Sequence, residues 1–288
     1  MGNDKESGKF LAIIFACYNR IEKTRACIDS LQQQLAKLPI QYQFYICDDH
    51  SSDGTPEMLR RRLPNAILIR TKGNYYWSKS MQVAMNAARK DNPDYYLMVN
   101  DDVLFHENAI AIMLASYHRA SSRPCGIVGT TVSSENGNFT YGGRQDDNAK
   151  IIKPSSSLPA CKVANWNCFL VDARTIAQIG IIDGRYEHGG GDYDYCYRMK
   201  KAGIPIYIAY DIIGQCEANT VAQSFLSAGF SRRERLKAYF SRKGLPFRST
   251  IRYNYKTKGF KGLWDVTIGY LYGITMIVMK KDLTRGDK

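Results

Sequence analysis

The chain has 288 residues, 44% of them hydrophobic and 23% charged, which is the composition of an ordinary globular protein with a sizeable core. Its eight cysteines are scattered without a CxxC pair, and the polar start MGNDKESGKF lacks the apolar stretch of a signal peptide. These features argue against a disulfide-stapled secreted protein and predict a cytoplasmic one. The net charge of +13 favours an anionic partner: nucleic acid, an anionic membrane surface or a phosphate-bearing substrate.

The first half of the sequence alternates β-rich segments with helix-patterned ones. The predicted strands are FLAIIFACYN, YQFYICDD, NAILIRT and DYYLMVND, and the predicted helices run from about 21 to 38, over EMLRRRL, and from about 78 to 90. This alternation predicts a parallel sheet covered by helices on both faces. In such sheets ligands bind beyond the carboxyl ends of the strands, so polar residues that follow a strand are candidates for a binding site.

The second half is mixed. From about 124 the segments CGIVGTTVSSENGNFTYGG and KVANWNCFLVDA predict strands, DARTIAQIG predicts a helix, and EHGGGDYDYCYRMKKAG combines a glycine run with acidic residues. We therefore expect a polar N-terminal extension over 1–8, a main α/β domain over 9–220 and a basic helical region over 221–288.

The C-terminal region is basic with interleaved aromatic residues, and it continues into the largely apolar segment LWDVTIGYLYGITMIVMKK. Its uninterrupted apolar stretch, 266–279, is too short to span a bilayer. A basic, amphipathic helical tail suits attachment to the surface of an anionic membrane. The same pattern also suits a helix that packs on the main domain with its lysines in solvent, and the sequence leaves both interpretations open.

The segment YYLMVNDDVLF ends a predicted strand in two adjacent carboxylates, Asp101 and Asp102. Desolvating carboxylates at this position is costly unless a partner neutralises them. One carboxylate can hold a hard divalent cation that neutralises a diphosphate, and the other can bind a sugar hydroxyl. The alternative is that the pair caps a helix that begins within DDVLFHENAI.

Two further polar turns, ACYNR and CDDHSSDGT, follow the first two predicted strands. The carboxylate of Asp49 could accept the N3–H of a pyrimidine base, Tyr18 could stack on that base, and Arg20 could face a phosphate. The alternatives are helix capping by the polar residues of these turns and ordinary core packing for Tyr18.

The segments KGNYYWSKS and HGGGDYDY add candidates from later in the chain. The Gly73-Asn74 turn would bring Lys79 to the sheet edge, where it could approach a diphosphate or remain a solvated lysine at a helix start. Asp192 follows a glycine run and is a candidate general base on a loop that orders over a substrate. Asp194 is a candidate cap for a helix over YCYRMKKAG.

Taken together, five segments in order resemble a family 2 glycosyltransferase with the GT-A fold, the inverting type that uses nucleotide sugars. They are FACYNR, YICDDHSSDGT, GNYYWSKSMQVAMNAA, LMVNDDVLF and GGGDYDYCYRMKKAG, and they cover about 9–218. The resemblance implies that the main domain is a GT-A catalytic domain, a Rossmann-like mixed sheet flanked by helices, that binds a nucleotide sugar and a divalent cation, Mn²⁺ or Mg²⁺.

The resemblance also implies roles for individual residues. Asp192 matches the family's catalytic base, and Asp102 matches the metal-binding position of the DxD-like motif. The residues predicted to bind nucleotide or substrate beside them are Tyr18, Arg20, Asp48, Asp49, Asn74, Lys79, Asp101, Trp166 and Asp194. The sequence departs from the family pattern at Gly191, where a Glu is common, and at Cys216, which stands where many members have a metal- or phosphate-binding His.

The function predicted from this resemblance is transfer of a sugar from a nucleotide donor, a UDP-sugar first and dTDP-rhamnose next, to a glycan acceptor. We expect a lipid-linked acceptor in surface-polysaccharide synthesis, and a peripheral position on the inner face of the cell membrane. A nucleotidyltransferase is the alternative enzyme, although no glycine-rich phosphate loop lies near the N-terminus. A membrane- or RNA-binding module with a degenerate site is the non-enzymatic alternative, although the basic residues cluster in the tail and nucleic acid is not the favoured partner.

Overall fold

The computed structural model describes residues 6–146, 149–187, 189–218, 230–241 and 246–279. The described strands are β1 (Phe10–Cys17), β2 (Gln41–Asp48), β3 (Ile67–Arg70), β4 (Tyr95–Val99), β5 (Leu104–Phe105), β6 (Gly126–Val132), β7 (Phe139–Tyr141), β8 (Gly143–Arg144), β9 (Ala160–Cys161), β10 (Val163–Ala164), β11 (Cys168–Asp172) and β12 (Ile206–Gln215). The helices are α1 (Ile21–Leu35), α2 (Thr55–Arg62), α3 (Tyr76–Ala88), α4 (Ala109–Arg119), α5 (Ala173–Ile179), α6 (Gly191–Lys201), α7 (Arg232–Tyr239), α8 (Phe247–Lys258) and α9 (Phe260–Met279).

The chain divides into two compact units. One comprises Met1–Gly184 and Gly191–Ala218, and the other comprises Arg185–Gly190 and Asn219–Lys288. The division after Ala218 lies two residues before the boundary predicted from the sequence. The short segment 185–190, which the sequence analysis placed in the main domain, belongs to the second unit.

The first unit is built on a mixed sheet whose main path runs β3-β2-β1-β4-β11-β6-β12-β5. The four strands predicted in the first half form its parallel part, since β1 pairs in parallel with both β2 and β4, and β2 with β3. The strand β11 runs antiparallel between β4 and β6, which makes the second half mixed, as predicted.

Hydrophobic side chains cover both faces of this sheet. Along β1, Leu11, Ile13 and Phe15 point into one core cluster, while Ala12 and Ile14 point into the other. This alternation follows from the two-residue period of a strand, and its apolar residues on both sides explain why β1 reads as a continuous apolar run. All eight cysteines are buried and unpaired.

The second unit contains α7, α8 and α9, with a small core of Tyr239, Val266, Tyr270 and Ile277. The helix α7 begins with a capping box, in which the side chains of Ser231 and Glu234 each accept a backbone N–H from the other residue. Within the described part of the chain, α9 is the one helix whose length and composition would suffice to cross a membrane. It has 20 residues, so the helix extends six residues before the apolar stretch predicted from the sequence.

Candidate active site

The turns that follow β1 and β2 are bound to each other. The backbone N–H of Asn19 donates to Oγ of Ser51 at 2.9 Å, and the backbone N–H of Ser52 donates to Oδ1 of Asn19 at 2.8 Å. Asp53 accepts the first backbone N–H of α1 at 3.0 Å. The two turns therefore form one braced surface at the carboxyl ends of the strands, and Tyr18 projects from it with 56% of its surface exposed.

The two carboxylates of the CDD segment have different surroundings. Asp48 is fully buried; it accepts the backbone N–H of Ser51 at 3.2 Å and lies 3.4 Å from the guanidinium of Arg70. Its charge is thus satisfied inside the protein, and its observed contacts support the turn. Contact of Asp48 with a ligand stays a prediction.

Asp49 holds the loop that follows β3. Its Oδ2 accepts the backbone N–H groups of Tyr75 and Tyr76, at 3.0 and 2.9 Å, and its Oδ1 accepts the hydroxyl of Thr71 at 2.6 Å. Asn74, exposed on this loop, and Tyr76 both have a positive φ, a conformation that costs energy in residues other than glycine. The hydrogen bonds to the Asp49 carboxylate offset that cost. Pairing of Asp49 with a base stays a prediction, and it would use the acceptor positions of the carboxylate that these hydrogen bonds leave open.

At the end of β4, Arg20 bridges the carboxylates of Asp101 and Asp102. Nη1 of Arg20 lies 2.9 Å from Oδ2 of Asp102 and 3.4 Å from Oδ1 of Asp101. The hydroxyl of Thr24, one turn along α1, donates to Oδ2 of Asp101 at 2.9 Å. The predicted helix cap is therefore not the observed role of this pair, because α4 begins later, at Ala109.

The two carboxylates differ in exposure. The side chain of Asp101 is 7% exposed and that of Asp102 is 21% exposed. Burial raises the pKa of the Asp101 carboxyl to about 6, although the positive charge of Arg20 opposes that rise and Asp102 adds to it. Asp102 is the more accessible of the two to a ligand.

Cys216 lies beside Asp102, with its Sγ 3.7 Å from Oδ1 of Asp102 and 3.5 Å from Nδ2 of Asn167. Burial raises the pKa of this thiol to about 12, and the neighbouring Asp102 carboxylate adds to that rise. Cys216 thus donates weakly to the carboxylate at the position where the family pattern has a His.

The oxygen ligands at this edge fit a hard divalent cation held by few protein groups. Within the described residues no cluster of three or more His, Cys, Asp or Glu side chains could enclose a metal ion. Magnesium and manganese sites that use one or two carboxylates fill their remaining positions with phosphate oxygens and water. Asp102 matches that arrangement, since its carboxylate is partly exposed beside the buried Asp101.

The start of α3 is attached to the end of β4. Nε1 of Trp77 donates to Oδ1 of Asn100, the residue before the two carboxylates, at 2.9 Å. The exposed Lys79 lies two residues later, and its Nζ is 3.9 Å from the ring centre of Tyr75. This contact places the lysine at the same end of α3, although a diphosphate contact remains a prediction.

The start of α6 packs on the start of α3 at Gly191. A Cβ at position 191 would lie 2.7 Å from Oγ of Ser78, closer than real Cβ atoms approach other atoms, and 3.0 Å from Cδ1 of Ile182. This contact is a physical reason for glycine where the family pattern commonly has Glu. It also places Asp192, which follows directly, next to the end of α3 that is joined to Asn100.

Asp194 is fully buried within the first turn of α6, and Nε of Arg198 donates to it at 2.9 Å. Arg198 also donates to the backbone carbonyls of Ile179 and Ile181, so the pair fastens α6 to the end of α5. The suggested cap at Asp194 is wrong, because α6 begins three residues earlier, at Gly191. Substrate contact by Asp194 stays a prediction.

Trp166 occupies the core rather than the surface. It is 1% exposed, stacks on Phe169 with ring centres 5.2 Å apart, and meets Tyr195 edge-on at 4.8 Å. A side chain buried in this way packs beneath the site. The predicted contact of Trp166 with substrate is therefore not supported by exposed surface in this structure.

Sequence reasoning missed three residues that support the site: Thr24, Asn100 and Asn167. Thr24 lies four residues after Arg20, one helical turn away on the same face of α1, so helical periodicity could have identified it. Asn167 lies 49 residues from its partner Cys216, and no local pattern joins them.

The fold is that of the GT-A glycosyltransferases. A mannosyltransferase, PcManGT from Pyrobaculum calidifontis, solved in complex with GDP-Man and Mn²⁺, superposes with a TM-score of 0.56 at 12% identity, covering 94% of this chain and 73% of that one. Residues 1–349 of TarS from S. aureus give a TM-score of 0.53 at 14% identity, covering 94% and 81%. No curated protein sequence matches the chain.

The sequence itself identifies the family. The profile of Glycosyl transferase family 2 matches residues 12–164, more than half of the chain and the part that carries most of β1, all of β2 to β4 and their polar turns. The chain belongs to glycosyl transferase family 2. The predicted family and the predicted GT-A fold are confirmed, and membership of the family supports glycosyl transfer as the chemistry.

Proposed function

We propose that the protein is an inverting glycosyltransferase that moves a sugar from a nucleoside diphosphate to a hydroxyl group of a glycan. One arrangement carries the proposal. The paired carboxylates Asp101 and Asp102 and the start of α6, which bears Asp192, lie at one end of α3, through the contacts Asn100–Trp77 and Ser78–Gly191. A cation site and a base at the same edge are what such a displacement requires.

Each group has a place in the reaction. The carboxylate of Asp192 takes the proton of the acceptor hydroxyl while that oxygen attacks the anomeric carbon. The bond from this carbon to the diphosphate oxygen breaks on the opposite face, so the configuration inverts. Arg20 and Lys79 bind the departing diphosphate, and a bound cation adds positive charge there.

The nucleoside binds on the turns after β1 and β2 in this proposal. Tyr18, which is exposed, stacks on the base, and Asp49 binds the base or ribose while Asn74 lines the same pocket. Asp101 binds the ribose or the donor sugar, and Asp102 holds the cation. The ligand contacts predicted for Asp48 and Asp194 are kept in this proposal, and the buried Trp166 supports the site through its core packing.

We further propose a nucleotide-sugar donor used with Mn²⁺ or Mg²⁺. The GDP-Man and Mn²⁺ complex of the mannosyltransferase neighbour supports this pairing of ligands, while a UDP-sugar, then dTDP-rhamnose, remains our first expectation for the donor. The acceptor in this proposal is a lipid-linked glycan in surface-polysaccharide synthesis. The enzyme would then work at the cytoplasmic face of the membrane.

Calorimetric titration of the full chain with a panel of nucleotide sugars, with and without Mn²⁺, tests this function. We expect one or a few donors to bind only when the cation is present. In Asp102→Ala, Mn²⁺ should no longer increase donor binding. A nucleotidyltransferase would instead prefer nucleoside triphosphates. A degenerate binding module would show no metal-dependent donor binding and no effect of Asp102→Ala, and either result would contradict the proposal.

A further inference from the structure

The helix α9 has two different faces. Val266, Tyr270 and Ile277 are buried in the core of the second unit. Five of the large apolar side chains on the other side, with exposures of 50–81%, are Phe260, Trp264, Ile268, Leu271 and Tyr272. Their spacing of four, four, three and one residues places them on one side of a helix, and we name this set the apolar face of α9. Contiguous exposed apolar area of this kind marks an interaction surface.

The part of the chain that carries this face also carries most of the net charge. Residues 219–288 hold 15 of the 40 lysines and arginines but only 4 of the 27 aspartates and glutamates, so eleven of the thirteen net positive charges fall in this quarter of the chain. Its described basic side chains that are exposed are Arg232, Arg233, Lys237, Arg248, Lys256, Lys258 and Lys261. The apolar face therefore lies in a strongly cationic unit.

We propose that the apolar face of α9 inserts into the interface of an anionic phospholipid bilayer, while the exposed lysines and arginines of this unit bind the lipid phosphates. Trp and Tyr favour this depth of a membrane, because their rings are apolar and one edge is polar. The charge favours a bilayer over a second copy of the chain, because pairing two such units would bring like charges together.

The packing of α9 favours a position in the plane of the membrane over a crossing. A Cβ at Gly262 would lie 2.1 Å from the backbone oxygen of Asn254 in α8, and one at Gly273 would lie 2.2 Å from Oη of Tyr239 in α7. The three helices are thus in close contact on the buried side of α9. A helix of 20 residues is about 30 Å long and could reach across a bilayer, but only by separating from α7 and α8 or by carrying their charges into the hydrocarbon.

This inference takes up the membrane location of the proposed function but not its chemistry, so it is tested by vesicle binding and not by sugar transfer. The chain has three tryptophans, and Trp264 is the exposed one, whereas Trp166 is buried and Trp77 is bonded to Asn100. We expect phosphatidylglycerol-containing vesicles to shift the tryptophan emission of the full chain to shorter wavelength. Lipids brominated on their acyl chains should quench it.

A double variant and a matched control distinguish loss of the lipid contact from misfolding. Ile268→Glu combined with Leu271→Glu leaves Trp264 in place and should lower vesicle binding about tenfold or more, because both side chains enter the interface. Tyr42→Glu, at a 40% exposed aromatic side chain of β2, should bind like the parent chain. Trp264→Phe should keep binding but lose the emission shift.

Salt dependence and carbonate extraction of the vesicle-bound protein test the interfacial position of α9. Binding should fall on phosphatidylcholine alone and in about 1 M salt, where the screening length is about 3 Å. Bound protein that resists alkaline carbonate would indicate a crossing helix and overturn the interfacial position. A concentration-dependent dimer that the double Glu variant abolishes, with no brominated-lipid quenching, would overturn the bilayer as the partner. Transfer activity without vesicle binding would refute this inference and leave the proposed function standing.

Discussion

The guanidinium group of Arg20 lies 2.9 Å from Asp102 and 3.4 Å from Asp101, so the side chain that directly precedes α1 pairs with both carboxylates at the end of β4. The positive charge of Arg20 would therefore compete with a cation for the Asp102 carboxylate. It is 48% exposed and can turn toward solvent or toward a diphosphate when the cation binds. Arg20 would therefore pair with the two carboxylates in the free protein and contact the donor once it binds.

Replacing Arg20 with Gln should separate these two effects. Without the competing positive charge, Mn²⁺ should bind the free protein about threefold more tightly, a modest change because the pair is partly exposed. Donor affinity should fall, since a charge-assisted contact to the diphosphate is lost. Electron paramagnetic resonance measures free Mn²⁺ directly. The control is Arg25→Gln, one turn along α1, where the arginine pairs with Glu22 instead.

Unchanged Mn²⁺ affinity in Arg20→Gln would show that Arg20 does not compete for the site. Unchanged donor affinity would remove it from the diphosphate pocket.

Replacing Asp192 with Asn should remove the base and little else. We expect transfer to fall by about a thousandfold, within the usual range for a lost general base, while nucleotide affinity stays near that of the parent. Steady-state transfer assays and calorimetry give the two quantities. Asp211→Asn, at an exposed position on β12, is the matched control. Equal loss of transfer and nucleotide affinity would make Asp192 a structural residue.

Replacing Asp49 with Ala tests whether this carboxylate supports the 71–76 loop. Losing its bonds to Thr71, Tyr75 and Tyr76 should lower the free energy of unfolding by roughly 1–3 kcal/mol and speed amide exchange across the loop. Hydrogen-exchange mass spectrometry measures the loop directly, with the exposed Glu57→Gln as control. Unchanged exchange together with lost nucleotide affinity would instead assign Asp49 to base recognition alone.

The elements of the sheet could be predicted from the sequence because their signals are local. The run FLAIIFACYN gave the strand now seen over Phe10–Cys17, and the NDD segment marked the end of β4. The position of β11 between β4 and β6 could not be predicted, since it pairs with residues about seventy positions away in β4 and about forty positions away in β6. The start of α6 at Gly191, earlier than predicted, also depends on a contact between distant segments, because Gly191 packs against Ser78 in α3.

The residues of the site also fall into those that a local sequence pattern predicts and those that it does not. Polar residues at strand ends could be found from the pattern, and the structure brings Arg20, Asp101 and Asp102 into contact. Cys216 lies beside Asp102 across a separation of 114 residues, which no local pattern encodes. Burial was also hidden: Trp166, which was predicted to bind nucleotide or substrate, forms part of the core.

Asp172, at the end of β11, should make stability depend on pH. Burial by itself raises the pKa of this carboxyl, but hydrogen bonds from Tyr117, Thr175 and Arg174 outweigh it and hold the pKa below its usual value of 3.8. A lowered folded-state pKa stabilises the fold above the unfolded pKa, and that contribution is lost as the pH falls through the folded pKa.

Asp172→Asn should therefore cost roughly 1–3 kcal/mol in the free energy of unfolding at neutral pH and less in acid. Urea denaturation of both proteins across this range measures the difference, with Asp211→Asn as the exposed control. A cost that does not shrink in acid would mean that lost packing, and not the charge, is responsible.

The most direct test of the central claim is the release of nucleoside diphosphate from the donor identified by titration, measured with Mn²⁺ for the parent chain and for Asp102→Asn. We predict slow, metal-dependent release by the parent, stimulated by a glycan acceptor, and a loss of about a hundredfold or more in the variant, because Asp102 holds the cation against the departing diphosphate. Equal release by the two proteins, or none from any nucleotide sugar, would contradict the assignment of this sheet edge as the donor site.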